Sequence, residues 1–202
     1  MNANDNMLLT EEELNLKIDL IENKFKDILK IIGYDIENDI QIKDTPKRIA
    51  KMWIKELFKG NFEKEPNITI FDNTKNYNEM VFLGPIQIKS VCSHHFIPFI
   101  GECYIAYLPD KKIVGISKLA RITKWFMRRP QIQEELTKQI SDYLEEKLEP
   151  LGVAVYISAQ HLCMTARGVE EYNSKMKTSA LKGCFRNMET RQEFMHMIKE
   201  LQ

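Results

Sequence analysis

The sequence predicts an α+β protein: a mostly antiparallel sheet with helices on one face, preceded by an N-terminal helical region. Apolar residues recur at helical spacing through the first third of the chain. From about residue 80, β-branched and aromatic residues form short alternating or continuous apolar runs, which are typical of strands. Helical patterns separate these runs into the order β-β-α-α-β-β. We therefore expect a helical region over 1–60, a connector over 61–79 and an α+β domain over 80–202.

The helical region contains two predicted helices. Thr10 followed by Glu13 matches a capping box, and the first helical pattern runs until Gly33. A second helix is predicted to begin with Thr45 as N-cap, followed by proline at the first helical position, and to end near Gly60. The expected core face of the first helix consists of Leu14, Ile18, Ile21, Phe25, Ile28 and Ile32.

The α+β domain contains four predicted strands and three predicted helices. The strands cover Met80–Cys92, Phe99–Leu108, Val153–Gln160 and Leu181–Phe185. The helices cover about Ile116–Met127, a segment that opens at Pro130, and about Thr190–Leu201. Pairing of the second strand with the third would bring their ends together.

Composition limits the class of protein. At 202 residues and 44% hydrophobic residues, the chain can bury one sizeable core. Basic and acidic residues number 29 each, so we expect no nucleic-acid or membrane partner. No apolar run approaches the ~18 residues of a membrane span, and the N-terminus has no secretory pattern. We expect a cytoplasmic protein with reduced cysteines, in which Cys103 and Cys184 are packing residues.

Three of the four histidines lie within three residues of a cysteine, in two groups that are distant in sequence. Cys92, His94 and His95 form the first group, and His161 and Cys163 form the second. Taken singly, each cysteine is better explained as a small buried residue. Together the groups predict a catalytic zinc site, because such a site takes three protein ligands and leaves one place for water. The surplus histidines are natural proton carriers.

The predicted helix after residue 115 carries a basic stripe. Phosphate groups bind at helix N-termini, and lysine and arginine add charge-assisted hydrogen bonds. A solvated charged face is the alternative reading of such a stripe. Arg167, four residues after Cys163, offers a further cation, so we predict a polyphosphate site that adjoins the zinc site. The stripe consists of Ser117, Lys118, Arg121, Lys124 and Arg128.

Gln131, Gln133 and Glu134 fall in the first turn of the next predicted helix. Acidic residues are common there because they suit the helix dipole. Beside a nucleotide, a carboxylate at this place could accept hydrogen bonds from the N1–H and amine edge of guanine.

With these residues assembled, the chain closely resembles the GTP cyclohydrolase I family of zinc enzymes, which has the tunnelling fold. Several independent motifs occur in the family's order, and the resemblance covers the chain from about residue 14 to its end. The matching segments are Asp44–Lys51, Cys92–Phe96, Gly115–Arg121, Arg129–Glu134 and His161–Gly168.

The resemblance implies conversion of GTP and water to 7,8-dihydroneopterin triphosphate, with C8 released as formate. This is the first step of pterin synthesis for folate, biopterin or deazaguanine pathways. Cys92, His95 and Cys163 would hold Zn²⁺, and a metal-activated water would attack C8. His161 would protonate N7, and His94 would relay a proton.

The resemblance also implies the substrate contacts and the assembly. Ser117 would act at the ribose and contribute to its ring opening. The family forms a homodecamer of two stacked pentamer rings, with each site built from neighbouring subunits. The implied contacts to the triphosphate and to the guanine edge are Lys118, Arg121 and Arg167, with Arg48 and Lys51 as helpers, and Glu134 with Gln133.

Two positions depart from the family pattern. Ser93 stands where the family usually has glutamate between the zinc cysteine and the two histidines. On a strand, Ser93 would face away from Cys92, so ligation should survive. Lys182–Gly183 stands where many members carry two small residues.

Two other functions remain open from the sequence. One is the related nitrile reductase of queuosine synthesis, which would need an unligated nucleophilic cysteine and a nicotinamide cofactor. The other is a catalytically weak or regulatory paralogue that binds zinc and GTP. Two surplus histidines argue against the paralogue, because a structural zinc site does not need proton carriers.

Overall fold

A computed structural model describes residues 5–201 of the chain. These residues form two units that divide between Lys64 and Glu65, within the segment predicted as a connector. Each unit has its own hydrophobic core. Across the described residues, no helix combines the length and apolar composition that a membrane crossing requires.

The first helix of the N-terminal unit, α1, spans Glu11–Ile32 and begins with the predicted capping box. The Thr10 N–H donates to Glu13 Oε2 at 2.7 Å, and the Glu13 N–H donates to Thr10 Oγ1 at 3.2 Å. The helix ends at Gly33, whose φ of 100° is in the left-handed region that glycine adopts readily. Both predicted ends of α1 are confirmed.

The second helix, α2, spans Thr45–Met52. Asp44 occupies the N-cap position, so Thr45 is the first helical residue rather than the predicted N-cap. The helix continues into a π-helical turn over Trp53–Leu57 and a 3₁₀ turn over Lys59–Asn61. The predicted end near Gly60 is therefore confirmed, although the last turns are not α-helical.

The core of this unit is small. Ile18, Ala50 and Ile54 are buried together. Ile28 and Ile32, which were predicted for the core face, are 43% and 63% exposed. They lie beyond the part of α1 that packs around Ala50 and Ile54. Helical periodicity identifies the apolar face of a helix, but it does not show how far along the helix a partner extends.

Seven strands form two sheets in the second unit. The main sheet has the order β5-β2-β3-β6-β7, in which β5 runs parallel to β2 and all other neighbours are antiparallel. The two remaining strands, β1 and β4, form a small antiparallel sheet. The strands are β1 Ile70–Asp72, β2 Val81–Cys92, β3 Pro98–Leu108, β4 Lys112–Val114, β5 Pro130–Gln131, β6 Gly152–His161 and β7 Met176–Gly183.

Helices cover both faces of the main sheet. Alternate residues of a strand face opposite sides, so Ile105 packs with α3 and α4, while Tyr104 packs with Phe194 and Ile198 of α6. The α+β class and the order β-β-α-α-β-β are confirmed, but the helices were expected on one face, and the predicted final helix, α6, covers the other. The helices are α3 Ile116–Phe126, α4 Gln133–Leu148, α5 Leu162–Thr165 and α6 Met188–Lys199.

Two predicted element boundaries in this unit are wrong. Pro130 does not open a helix: Pro130–Gln131 pair with Val91–Cys92 as β5, and α4 begins at Gln133. The last strand begins at Met176 rather than Leu181. Its first half has few of the residues typical of strands, so its extension depends on the ladder with β6.

The unusual pair Lys182–Gly183 has a structural explanation. Lys182 Nζ lies 2.5 Å from both Asp142 Oδ1 and Glu145 Oε2 of α4, so these ion pairs link β7 to that helix. Gly183 has a φ of 55°, and a Cβ there would lie 2.1 Å from Leu151 O. The backbone therefore requires glycine at 183.

Gly101→Ala is expected to destabilise the main sheet. A Cβ at Gly101 would lie 2.0 Å from Ser158 O and 2.5 Å from Ala159 Cα, so β3 and β6 would have to separate. We expect a loss of about 1–3 kcal/mol in the free energy of unfolding, measured by urea denaturation. Gly115→Ala is the control, because its nearest neighbour would be Lys118 Cγ at 3.7 Å. Equal stability of the two variants would contradict the close packing at Gly101.

Candidate metal and substrate site

Sheet topology brings the two Cys/His groups to one end of the sheet. β3 pairs antiparallel with β2 and also with β6. In this register Val91 lies opposite Pro98, and Phe99 lies opposite His161. Because β2 and β6 both end at this edge, Cys92 and the segment after His161 become neighbours. The predicted pairing of the second and third strand regions is confirmed.

A tight turn connects β2 to β3 at this edge. The Cys92 N–H donates to Ile97 O at 3.0 Å, and the Phe96 N–H donates to Cys92 O at 2.9 Å. Phe96 has a φ of 53°, a left-handed backbone that turns the chain back towards Cys92. Ser93, expected on a strand, lies in this turn instead. Its N–H donates to Gln131 O at 3.3 Å, so β5 holds the turn from the side.

The turn and α5 bring together three potential metal ligands: Cys92, His95 and Cys163. Their ligand atoms all lie within 4.8 Å of one another, and Cys92 Sγ lies 4.0 Å from His95 Nδ1. Ligand atoms around a tetrahedral zinc lie roughly 3.5–3.8 Å apart, given bond lengths of about 2.0–2.3 Å. Small side-chain shifts would therefore close the set around one ion. Two sulfurs and one imidazole suit zinc and leave a fourth position open.

The charges around these residues also suit a cation. Burial raises the pKa of the Cys163 thiol, and neighbouring Cys92 raises it further, while Arg167 opposes the shift. Two thiolates at this spacing repel each other, and a divalent cation between them would remove that repulsion. Arg167 is exposed and follows Cys163 by four residues, and its positive charge acts to lower the pKa of that thiol.

His161 is held beside the ligand set. Its Nε2 lies 2.9 Å from Gln133 Oε1, and its ring stacks on the buried Phe99 ring at 4.8 Å between centroids. Burial lowers the pKa of His161, and the charge of nearby Glu134 opposes that shift. His94 is exposed in the β2–β3 turn. Sequence reasoning missed Phe99 as a site residue, since its apolar strand position gave no sign of a role beyond the core.

The two residues expected at the guanine edge differ in exposure. Glu134 is exposed, and its negative charge opposes the lowering of the His161 pKa by burial. Gln133 is fully buried, and its side-chain amide makes hydrogen bonds within the chain. In this structure the Gln133 amide therefore faces the protein interior rather than an open site.

Within one chain, the start of the basic stripe lies away from the ligand set, although the stripe as a whole was expected to adjoin it. Val114, just before α3, donates its N–H to the Tyr107 hydroxyl at 3.2 Å. Tyr107 lies roughly 26 Å along β3 from Phe99, which marks the metal end of the sheet. The helix then runs back, so its C-terminal end approaches β5: Gln131 Nε2 donates to Phe126 O at 2.6 Å. Ser117 and Lys118 lie in the first turn, at the remote end, and Arg121 lies near the middle of the helix.

Arg48 and Lys51 are exposed residues of α2 in the N-terminal unit. Arg48 Nη2 lies 3.6 Å from Asp44 Oδ2. Their contact with a substrate stays a prediction.

Comparison with a protein-family model and comparison with curated proteins identify the same family. The family model described as GTP cyclohydrolase I matches residues 21–199. The chain is 44% identical to GTP cyclohydrolase 1 of Blochmanniella pennsylvanica, covering 94% of this chain and 87% of that protein. It is 46% identical to the Sulfurihydrogenibium enzyme, covering 88% and 93%, and 45% identical to the Aquifex aeolicus enzyme, covering 85% and 91%. The chain belongs to the GTP cyclohydrolase I family and is an enzyme with GTP cyclohydrolase activity.

Proposed function

We propose that the chain converts GTP and water to 7,8-dihydroneopterin triphosphate and formate, with Zn²⁺ held by Cys92, His95 and Cys163. The observation that supports this most directly is the approach of these three donors to within 4.8 Å, next to a half-buried histidine. A purely structural zinc site would need a fourth protein ligand and no adjacent proton carrier.

Zinc, when bound, supplies a Lewis acid that activates water for attack on C8 of the purine. His161 gives a proton to N7, which makes C8 more electrophilic. Its buried setting lowers its pKa, so its protonated form is a stronger acid than an exposed imidazolium. His94 is exposed in the adjacent turn and suited to carry protons between the site and solvent.

Substrate recognition follows from the charges of the site. Glu134 accepts hydrogen bonds from the N1–H and amine edge of guanine. Arg167 binds the triphosphate from the same end of the sheet as the metal ligands. The remaining contacts, at the ribose and triphosphate, come from the start of α3 through Ser117, Lys118 and Arg121.

These remaining contacts require a second copy of the chain. The start of α3 lies at the remote end of the sheet, so a complete site needs α3 from a neighbouring subunit. Among residues 5–201, the pairing of β5 along the outer edge of β2 is limited to Val91 and Cys92, which leaves most of that edge for another chain. We infer a homo-oligomer with shared sites, and the family resemblance favours a decamer of two pentamer rings.

Complementation between two inactive variants tests this sharing. His161→Ala removes a residue of the metal end, and Arg121→Ala removes one of α3. Co-expressed at equal levels with different tags, the two chains should recover up to about one quarter of wild-type turnover, since random assembly gives that share of intact sites. Each variant alone serves as the control. Turnover no higher than that of either variant would contradict a shared site.

The reaction itself is tested with the zinc-loaded protein and GTP. We expect equal amounts of formate and of a pterin triphosphate, measured by fluorescence after oxidation. Binding of zinc and GTP without formate release would contradict the proposed reaction and favour a regulatory paralogue. Release of formate with one zinc per chain would exclude the nitrile reductase alternative.

A further inference from the structure

Gln133 has a fully buried side chain, and both the nitrogen and the oxygen of its amide make hydrogen bonds within the chain. Its Nε2 lies 3.1 Å from Ile157 O, 3.1 Å from Met176 O and 3.0 Å from Thr178 Oγ1. Its Oε1 lies 2.9 Å from His161 Nε2. A glutamine placed between two strand carbonyls and a histidine has little freedom to turn.

The surroundings determine which end of the amide faces His161. A flipped amide would put Oε1 against the carbonyl oxygens of Ile157 and Met176, which cannot donate a hydrogen bond. The hydrogen bonds of the Thr137 and Thr178 hydroxyl groups support the orientation in which Oε1 faces His161. Thr137 Oγ1 donates to Gln133 O at 2.7 Å, so it accepts from Thr178 Oγ1 at 2.6 Å. Thr178 Oγ1 is then left to accept from Gln133 Nε2.

This orientation has a consequence for the imidazole. Because Gln133 Oε1 can only accept, His161 Nε2 must carry a hydrogen. In the neutral ring, Nδ1 is then the nitrogen with the free lone pair. The stacked Phe99 ring, with an interplanar angle of 9°, restricts rotation of the imidazole about this hydrogen bond.

We propose that Gln133 is a positioning residue that fixes His161 as the Nε2–H tautomer, so that Nδ1 is the atom that exchanges a proton with the substrate. This inference rests on the proposed role of His161 in turnover. It differs from the guanine contact expected for Gln133. That contact would require the amide to leave four hydrogen-bond partners in the protein interior.

Gln133→Met tests the proposal by kinetics. Methionine has a similar length but cannot accept the hydrogen of His161 Nε2. We expect kcat to fall at least about tenfold, as for other histidines that lose the partner fixing their tautomer. The KM for GTP should change less than about twofold, and zinc content should stay at the wild-type level. Gln139→Met, a half-buried glutamine on the same helix, is the matched control and should keep wild-type kcat.

Nitrogen-15 solid-state NMR of histidine-labelled, zinc-loaded protein reads the tautomer without turnover. His161→Asn assigns the ring signals by their loss. In the wild type, under conditions where the ring is neutral, we expect a protonated Nε2 and an unprotonated Nδ1. Gln133→Met should lose this preference.

Three results would overturn the proposal. The first is an Nδ1–H tautomer in the wild type, and the second is an unchanged kcat in Gln133→Met. The third is a raised KM at unchanged kcat, which would support a contact between Gln133 and guanine instead. Because the NMR signal does not depend on activity, an inactive wild type with the Nε2–H tautomer would count against the proposed reaction and not against the positioning of the ring.

Discussion

Cys163→Ala is expected to lose bound zinc and GTP turnover together. Cys163 supplies one of two sulfurs in a three-ligand set, and alanine offers no donor in its place. Turnover should fall at least about a thousandfold, because the activated water is lost with the metal. Metal analysis after dialysis and a formate assay on the same sample measure both quantities.

Cys184→Ala is the matched control for this variant. Cys184 is also half-buried, but it lies after β7 and outside the ligand set. It should keep both zinc and activity. A Cys163→Ala protein with one tightly bound zinc per chain would contradict the ligand assignment.

His161→Ala is expected to separate zinc binding from catalysis. The imidazole of His161 is engaged by Gln133 and Phe99, and it is not among the three converging donors. Zinc content should therefore stay at the wild-type level, while kcat falls by about 10²–10⁴, the usual contribution of a positioned proton donor.

His196→Ala on α6 controls for loss of a histidine as such, because His196 is exposed and pairs with Glu200 at 3.3 Å. Equal loss of zinc in His161→Ala and Cys163→Ala would show that the division between ligand and proton donor is wrong.

Features encoded locally were predictable from the sequence. The capping box at Thr10 and the stop at Gly33 depend on residues a few positions apart, and both are confirmed. The approach of Cys92 to Cys163 was predictable, because antiparallel pairing of the predicted second and third strands brings the ends of these strands together. The residue types then led to the proposal of zinc, since thiolate and imidazole together favour that ion.

The direction of α3 relative to the sheet and the burial of Gln133 were not predictable from the sequence. A helical wheel showed that Ser117 and Arg121 share a face of α3, but it did not show which end of the sheet that face starts from. The burial of Gln133 depends on carbonyl groups of β6 and β7 that are distant in sequence. Pro130 met the usual condition for a helix start, and two parallel ladder positions beside β2 overrode it.

We propose that two segments distant in sequence hold one zinc ion through two sulfurs and one imidazole. Zinc K-edge X-ray absorption of the purified protein measures this shell directly. We predict one zinc per chain with two sulfur neighbours at about 2.3 Å and two nitrogen or oxygen neighbours at about 2.0–2.1 Å. Cys163→Ala should leave no such shell. A wild-type spectrum with no sulfur neighbour, or with four, would show that Cys92, His95 and Cys163 do not form the zinc site.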